Sequence, residues 1–255
     1  MSETPLILVT NDDGHDARGI AALTQALEAV GEVWVVAPDR ERSGVSHGIS
    51  LGRPLRAREA APRRFVTDGT PTDCVFLGVH ALLPRRPALV VSGINHGPNM
   101  GGDVTYSGTV AGAMEGTIMG IPSIAVSFAA RPTRDFGPSA AFAVAVSRHV
   151  LAHGLPPRTL LNVNVPETGG EPVRRFRWTR GGLRDYGHKV IIQTDPLGRP
   201  MYWIGSDITF REQEGGDCDA VAAGVAAITP IALDMTDLER RERWSLTELP
   251  GLERV

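Results

Sequence analysis

Blocks of apolar and polar residues alternate along the first 165 residues and separate short buried strands from helices. Leu6–Thr10 is a compact apolar, β-branched run, the mark of a buried strand. From Gly19 to Val30 the apolar positions Ile20, Leu23, Leu27 and Val30 fall on one helical stripe. Glu32–Ala37, with VWVVA, predicts a second strand, so the chain opens as β–loop–α–β, the start of a doubly wound parallel sheet. Pro38–Ser50 is polar and turn-rich, and Ile49–Ala57 predicts a short strand or hairpin. Thr70, Pro71 and Asp73 form a helix start: a hydroxyl cap, a proline in the first turn and an acid near the positive dipole end. That helix runs to about Leu83. Strands follow at Ala88–Ser92, Ser123–Ser127 and Leu160–Val165. They alternate with a helix capped by Ser107 and running to about Met119, with Val110, Met114 and Ile118 apolar, and with a helix at Pro138–Ala152.

The pattern changes after Pro166. Arginines interleave with aromatics at Arg174, Arg175, Phe176, Arg177, Trp178, Arg180, Arg184 and Tyr186. Short candidate strands at Lys189–Gln193 and Pro200–Ile204 predict antiparallel hairpins. Val225–Ala232 predicts a last strand and Asp234–Arg243 a short charged helix. The chain therefore divides into an α/β core at 1–166 and a segment at 167–255, which holds hairpin arms, the last core strand and an oligomerisation tail, all within one structural domain.

Charge narrows the function classes. The net charge is −3, from 26 basic and 29 acidic residues, with Lys189 the only lysine. A chain-wide footprint for a nucleic-acid polymer needs an excess of Lys and Arg. No run of about 18 apolar residues is present, so no transmembrane helix is expected. The N-terminus lacks a basic region and a signal-like apolar stretch. Cys74 and Cys218 lack metal-ligand spacing and read as reduced structural thiols, which together predict a cytoplasmic protein. Glycine is over-represented, 29 of 255 residues against a usual ~7%, and eight of these fall between Gly93 and Gly120.

Candidate chemistry sits where the predicted strands end. Asn11-Asp12-Asp13-Gly14 follows the first strand, Asp39 to Gly44 follows the second, and Ser92-Gly93-Ile94-Asn95 leads to Asn99 after the third. In a parallel α/β sheet these turns share the carboxyl edge, where ligands bind. The convergent donors are all oxygen: two carboxylates, hydroxyls and amides. That set suits one Mg²⁺ or Mn²⁺ ion per subunit better than zinc. Tyr106-Ser107-Gly108-Thr109 opens a helix with a hydroxyl and free backbone N–H groups, a geometry that favours phosphate. Neither a P-loop nor a dinucleotide fingerprint is present. Asp73 reads as a helix first-turn acid, Asp103 as a loop-ordering acid that could contact a ligand, and Asp217 and Asp219, spaced like ligands but in the irregular C-terminal region, as solvated acids. Gly112, Gly116 and Gly120 recur every four residues, which would let the helix after Ser107 press on the sheet.

These pieces occur in order as ILVTNDDG at 7–14, Gly19-Ile20, VAPDRERSG at 36–44, GTPTDCV at 69–75, VSGINHGPNMGGDVTYSGTVAGAMEG at 91–116, GIPSIAVS at 120–127 and NVNVP at 162–166. Together they resemble the SurE family, the survival-protein nucleotidases. Asp68 before the GTP, and Thr72 where alanine is frequent, are the departures, and neither touches the metal set. The resemblance implies a three-layer α/β/α Rossmann-like domain with a parallel core sheet and C-terminal β-hairpin extensions. It also implies a metal-dependent phosphomonoesterase of nucleoside 5′-monophosphates, with 3′-monophosphates and short polyphosphate as further substrates. Carried across, the family's metal ligands fall on Asp12, Asp13, Ser43 and Asn95. Gly44, Asn99, Ser107, Gly108 and Thr109 would hold the phosphate. Asp12 or Asp13 is the first candidate for the general base, with His15, His47 and His96 as rim residues. A homodimer or homotetramer with exchanged C-terminal segments is implied too. Two rival functions fit the same chain: a nucleotide-binding sensor without turnover, and an RNA-binding module using Arg174–Lys189.

Overall fold

A computed structural model of the chain describes residues 4–130, 135–185, 190–204, 209–237 and 240–241. One nine-stranded sheet organises it, in the order β3-β4-β2-β1-β5-β6-β7-β13-β8. Its strands are β1 (Leu6–Thr10), β2 (Glu32–Pro38), β3 (Ala57–Ala61), β4 (Arg64–Thr67), β5 (Leu89–His96), β6 (Ser123–Phe128), β7 (Thr159–Val165), β8 (Phe176–Trp178) and β13 (Ala226–Ala232). The six strands from β4 to β7 run parallel. β13 runs antiparallel to β7, β8 pairs parallel with β13, and β3 closes the other edge antiparallel to β4. Strand order reverses between β1 and β5, and the carboxyl ends of those two strands form the switch-point crevice where doubly wound sheets bind ligands.

Alternation along each buried strand builds two cores. Ile7 and Val9 face the helices α1 (Arg18–Leu27) and α4 (Gly137–His153), with Leu23, Leu27, Ala143 and Val150. Leu8 and Val90 face α2 (Pro71–Leu77), with Cys74 and Val75. Further along that side, Val110, Ala113 and Met114 of α3 (Gly108–Ile118) cover Ala125 and Leu160. The result is a three-layer sandwich with apolar cover on both sheet faces, the condition under which parallel sheets occur. α2 starts on the expected signal: Thr70 accepts from the Asp73 backbone N–H at 3.1 Å while Asp73 accepts from the Thr70 N–H at 2.9 Å, a complete capping box. A π-helical turn at Gly78–Leu82 carries it on to the predicted end.

α3 is buried on nearly every side from Gly108 to Thr117, and only Ile118, expected on the apolar stripe, emerges into solvent. A methyl group at Gly112 would stand 2.9 Å from both Ser92 Oγ and Thr10 Cγ2, and one at Gly116 would stand 2.5 Å from Ser123 Oγ. These two glycines let α3 lie directly on β5 and β6. Gly120 falls beyond the helix end, where it meets only Arg86.

Several expectations change. The hairpin expected at Ile49–Ala57 forms instead at Ala57–Thr67, because Gly52 and Pro54 sit in the earlier stretch, which stays irregular. The first helix stops at Leu27, three residues early. The segment around Asp217 is not an irregular loop but a short helix, α5 (Asp217–Ala222). The C-terminal arms hold two small antiparallel sheets. One pairs β10 (Val190–Thr194) with β11 (Pro200–Ile204), and the other pairs β9 (Leu183–Asp185) with β12 (Thr209–Arg211). Tyr186 to Lys189, residues 238, 239, 242 and 243 of the predicted helix at 234–243 and the tail beyond it lie outside the described residues, and Asp234 to Asp237, which are described, are not helical. Both cysteines are free and buried. Burial, with Asp217 beside it, pushes the Cys218 thiol up to about 12, and burial raises Cys74 as well.

Candidate active site

Asp12 and Asp13 occupy the turn that leaves β1. Gly14 follows with φ +102°, a conformation glycine adopts freely, and its carbonyl accepts from the Asn11 side-chain amide at 2.8 Å. The turn is tied to the end of β2 from both sides: the His15 N–H donates to Pro38 O at 3.0 Å and the Arg42 N–H to Asp12 O at 2.7 Å. These bonds bring the β1 and β2 turns together, as their shared edge predicts.

The two carboxylates sit in different environments. Asp12 is 4% exposed and receives the Thr109 hydroxyl and backbone N–H. Burial pushes its carboxyl up to about 6; the Thr109 hydrogen bonds oppose this and the charge of Asp13 adds to it. Asp13 is more open and accepts from the His96 backbone N–H at 3.3 Å. Close approach of α3 to Asp12 requires Gly108, where a methyl group would lie 2.9 Å from Asp12 Cβ and 3.1 Å from Val45 Cγ1. The positive end of the α3 dipole therefore rests on the carboxylate pair.

A cleft of about 1190 Å³ opens along this edge. Asp12, Asp13, Ser43, Gly44, Asn95, Asn99 and Ser107 all border it. Asn95 spends its amide donor on Gly97 O at 2.9 Å, which leaves its Oδ1 as the free acceptor. Ser43 lies on the exposed rim, its hydroxyl donating to Glu41 at 2.7 Å. Ser107 caps α3, its Oγ accepting from the Val110 N–H at 3.1 Å, so the hydroxyl hydrogen stays available to a ligand. Gly108 and Thr109 lie behind this wall: the first is a spacer against Asp12, and the second is fully buried with its hydroxyl committed to Asp12.

The donor set fits a hard divalent cation. A desolvated carboxylate beside a second one, with a side-chain carbonyl and a hydroxyl on the same cleft, is an all-oxygen cradle carrying two negative charges. No cluster of three His, Cys, Asp or Glu side chains occurs among the described residues, which leaves no competing site of the zinc type.

Asn99 shows what the motif reading lacked. Its backbone N–H donates to Asn164 Oδ1 at 2.9 Å, and its carbonyl accepts from Asn162 Nδ2 at 2.8 Å and Asn164 Nδ2 at 2.9 Å. Its own amide donates to Ser127 Oγ at 2.9 Å. Asn162, Asn164 and Ser127 thus form a buried polar scaffold that fixes Asn99 on the cleft floor. The signal was present in the NVNV alternation, which puts both asparagines on one face of β7 and the valines on the other.

The histidines divide. His96 borders the cleft and packs against Phe136 at a tilt of 34°, ring centroids 4.8 Å apart. His47 pairs with Glu115 at 3.0 Å, away from the cleft lining. Asp103 is held by Arg184. Asp217, expected in solvent, is fully buried, because two backbone N–H groups converge on its carboxylate. Within the described part of the Arg174–Lys189 stretch, Arg184 is turned inward onto Asp103, and the Phe176 ring lies 6.3 Å from Phe142 and 6.4 Å from Trp178.

The chain matches the family described as Survival protein SurE over residues 7–188. It is 52% identical over 248 residues to the 5′-nucleotidase SurE of Geobacter metallireducens, covering 95% of this chain and 98% of the relative. It is 54% identical over 233 residues to the 5′-nucleotidase SurE of Pelobacter propionicus, covering 91% and 94%. Among solved structures, the SurE protein from Aquifex aeolicus superimposes with a TM-score of 0.83 at 43% identity, covering 94% of this chain and 98% of that one. No described helix is long and apolar enough to cross a membrane.

Proposed function

The chain belongs to the survival protein SurE family, and from that premise we propose that it is a metal-dependent 5′-nucleotidase, hydrolysing nucleoside 5′-monophosphates to nucleoside and phosphate. The observation that carries the reading is the buried Asp12 beside Asp13 at the switch point, beneath the N-terminus of α3. Asp12, Asp13, Ser43 and Asn95 would hold one Mg²⁺ or Mn²⁺ ion, and a cation there supplies positive charge against the phosphate and lowers the pKa of water.

The chain's own groups do the rest. The Ser107 hydroxyl and the first turn of α3 orient the phosphate oxygens, and the helix dipole favours the charge they carry. Asn99, pinned by Asn162 and Asn164, holds its amide edge at a fixed position, and Gly44 borders the entry without bulk. His96 orients Asp13 through its backbone N–H. A carboxylate of the pair, Asp12 or Asp13, takes the proton of the attacking water. Nucleoside 3′-monophosphates and short polyphosphate are expected as further substrates. The working form is expected to be a homodimer or homotetramer built through the segment after residue 166.

The test is phosphate release from a panel of nucleoside 5′- and 3′-monophosphates with Mn²⁺ or Mg²⁺, and with EDTA. The expected result is metal-dependent release from the 5′-monophosphates that EDTA abolishes. Tight nucleotide binding with no phosphate released would replace the enzyme with a sensor. Strongly salt-dependent RNA affinity would point to the arginine-rich arm instead.

A further inference from the structure

The phosphate-holding turn is not built by the core alone. Between Asn99 and Ser107 the chain makes a 3₁₀ turn, Gly101–Thr105, and Asp103 O accepts from the N–H groups of Tyr106 (2.9 Å) and Ser107 (3.1 Å). The position of Ser107 therefore follows that of Asp103. The C-terminal arm grips this turn at two points. Asp217, the first residue of α5, accepts from the Gly101 N–H at 3.1 Å with one carboxylate oxygen and from the Gly182 N–H at 2.7 Å with the other. Two residues beyond Gly182, Arg184 reaches the Asp103 carboxylate, with its side chain only 7% exposed and bordering the cleft.

The fit is tight enough to be specific. Gly101 has φ +52°, and a methyl group there would lie 2.3 Å from Gly182 O; one on Gly182 would lie 2.7 Å from Asp217 Oδ1. A carboxylate is required at 217 because both arriving groups are donors. An amide would offer one acceptor and turn a donor toward the other N–H, and a buried donor without a partner costs the full desolvation penalty.

We propose that Asp217 and Arg184 are positioning residues for the phosphate subsite: through Gly101 and Asp103 they set where Ser107 stands, which makes the C-terminal arm a working part of the active site. This rests on the nucleotidase reading for its kinetic consequence, but the binding it predicts does not need turnover. The metal cradle draws on none of the arm's residues, so damage to the clamp separates the two halves of the site.

The experiment compares Asp217→Asn, Arg184→Gln, Asp103→Asn and the Arg184→Gln/Asp103→Asn double variant with the parent protein. Calorimetry measures Mn²⁺ binding, then inorganic phosphate binding to the Mn²⁺-loaded protein, and steady-state kinetics with AMP follow. A misplaced subsite weakens phosphate binding and raises KM about tenfold, with kcat falling less, while Mn²⁺ affinity stays at the parent value. The double variant should be no worse than the worse single one, because both changes break one contact. Unchanged phosphate affinity, equal loss of Mn²⁺ affinity, or additive single effects would each overturn the proposal. If Asp217→Asn fails to fold, the two variants at the cleft wall carry the same test. Parent protein that binds phosphate yet releases none from AMP would sink the nucleotidase reading and leave this measurement standing.

Discussion

β1 and β10 carry nearly the same kind of sequence, LILVT and VIIQT, and meet opposite fates. Leu6, Ile7, Leu8 and Val9 are 0% exposed, whereas Val190, Ile191 and Ile192 stand 53–66% exposed. β1 lies between β2 and β5 with helices on both faces. Among the described residues β10 pairs only with β11, whose Tyr202, Trp203 and Ile204 are equally bare. An apolar strand calls for cover on both faces, but its own chain need not supply it. An isolated two-stranded hairpin is marginal in water, so the proposed second subunit is the natural cover for β10–β11. The two regions also differ in what they place at the cleft: turns at the ends of core strands present the carboxylates, and the later segment grips the Gly101–Thr105 turn from outside.

The sharpest way to break this contrast is at the end of β1. Asp12→Asn keeps an acceptor for Thr109 and removes a buried charge, so the metal-free fold should hold or gain in melting temperature. Phosphate release from AMP should fall by about 10³-fold or more, the scale expected when an electrostatic centre is lost. Mn²⁺ at a hundredfold its dissociation constant stabilises the parent by about 2.7 kcal/mol, and this shift should vanish in the variant. Near-normal turnover would remove Asp12 from the metal set.

Gly108→Val and Gly112→Val separate site from core along one helix. At position 108 the side chain would drive into Asp12 and Val45, so phosphate release should collapse at a smaller stability cost than at 112. At 112 it would meet Ser92 and Thr10 on the sheet, and overpacking should cost about 1–3 kcal/mol in urea unfolding. Equal stability losses in both would erase the distinction between cleft spacer and packing spacer.

How much of this was readable in advance follows the same division. Period and capping signals suffice for the core because each is local: Thr70 to Asp73 closes a capping box within four residues, and Ile20, Leu23 and Leu27 mark one face of one helix. Asp12, Asp13, Asn95 and Ser107 could be gathered because parallel topology alone sends the ends of β1 and β5 and the start of α3 to one edge. Asp217 and Arg184 were beyond that logic. Their partners lie 116 and 81 residues away at Gly101 and Asp103, and no periodicity encodes a contact between a hairpin arm and a core loop. Asp219, by contrast, accepts from the Gln213 N–H at 3.0 Å, an ordinary local bond. The misplaced hairpin at 49–57 has a simpler cause: β3, which forms later, is exposed at every position and so carries no alternation to read.

The exposed hairpin gives the next test. Ile191→Asp with Trp203→Asp places charges on paired positions of β10 and β11 that the fold of one chain leaves in solvent. Stability of the separated chain should move by no more than about 0.5 kcal/mol, as for other surface changes. The assembly should fall apart: light scattering should give a multiple of 27.3 kDa for the parent and a smaller species for the variant. A parent that runs as a monomer at micromolar concentration would mean that the hairpin needs no second subunit, and the comparison with β1 would lose its explanation.

The smallest effect concerns the two thiols, one on each side of the divide. Cys74 packs in the α2 layer beside Leu8 and Val36, and Cys218 sits in α5 next to Asp217. Both are at most 2% exposed, and burial holds both thiols above their ordinary range. The thiolate is the reactive form, so neither residue should take up iodoacetamide at pH 8 in the native state, and both should do so in guanidinium. The informative detail is order under mild urea. α5 is one short helix at the sheet's end, and the apolar cluster it joins is small, with Val225 and Ala227, so it should open before the central layers. Cys218 should therefore be labelled at lower urea than Cys74, and loss of phosphate affinity should accompany that first labelling, because Asp217 leaves the turn when α5 opens. Simultaneous labelling of both thiols would show that the arm and the core unfold as one unit.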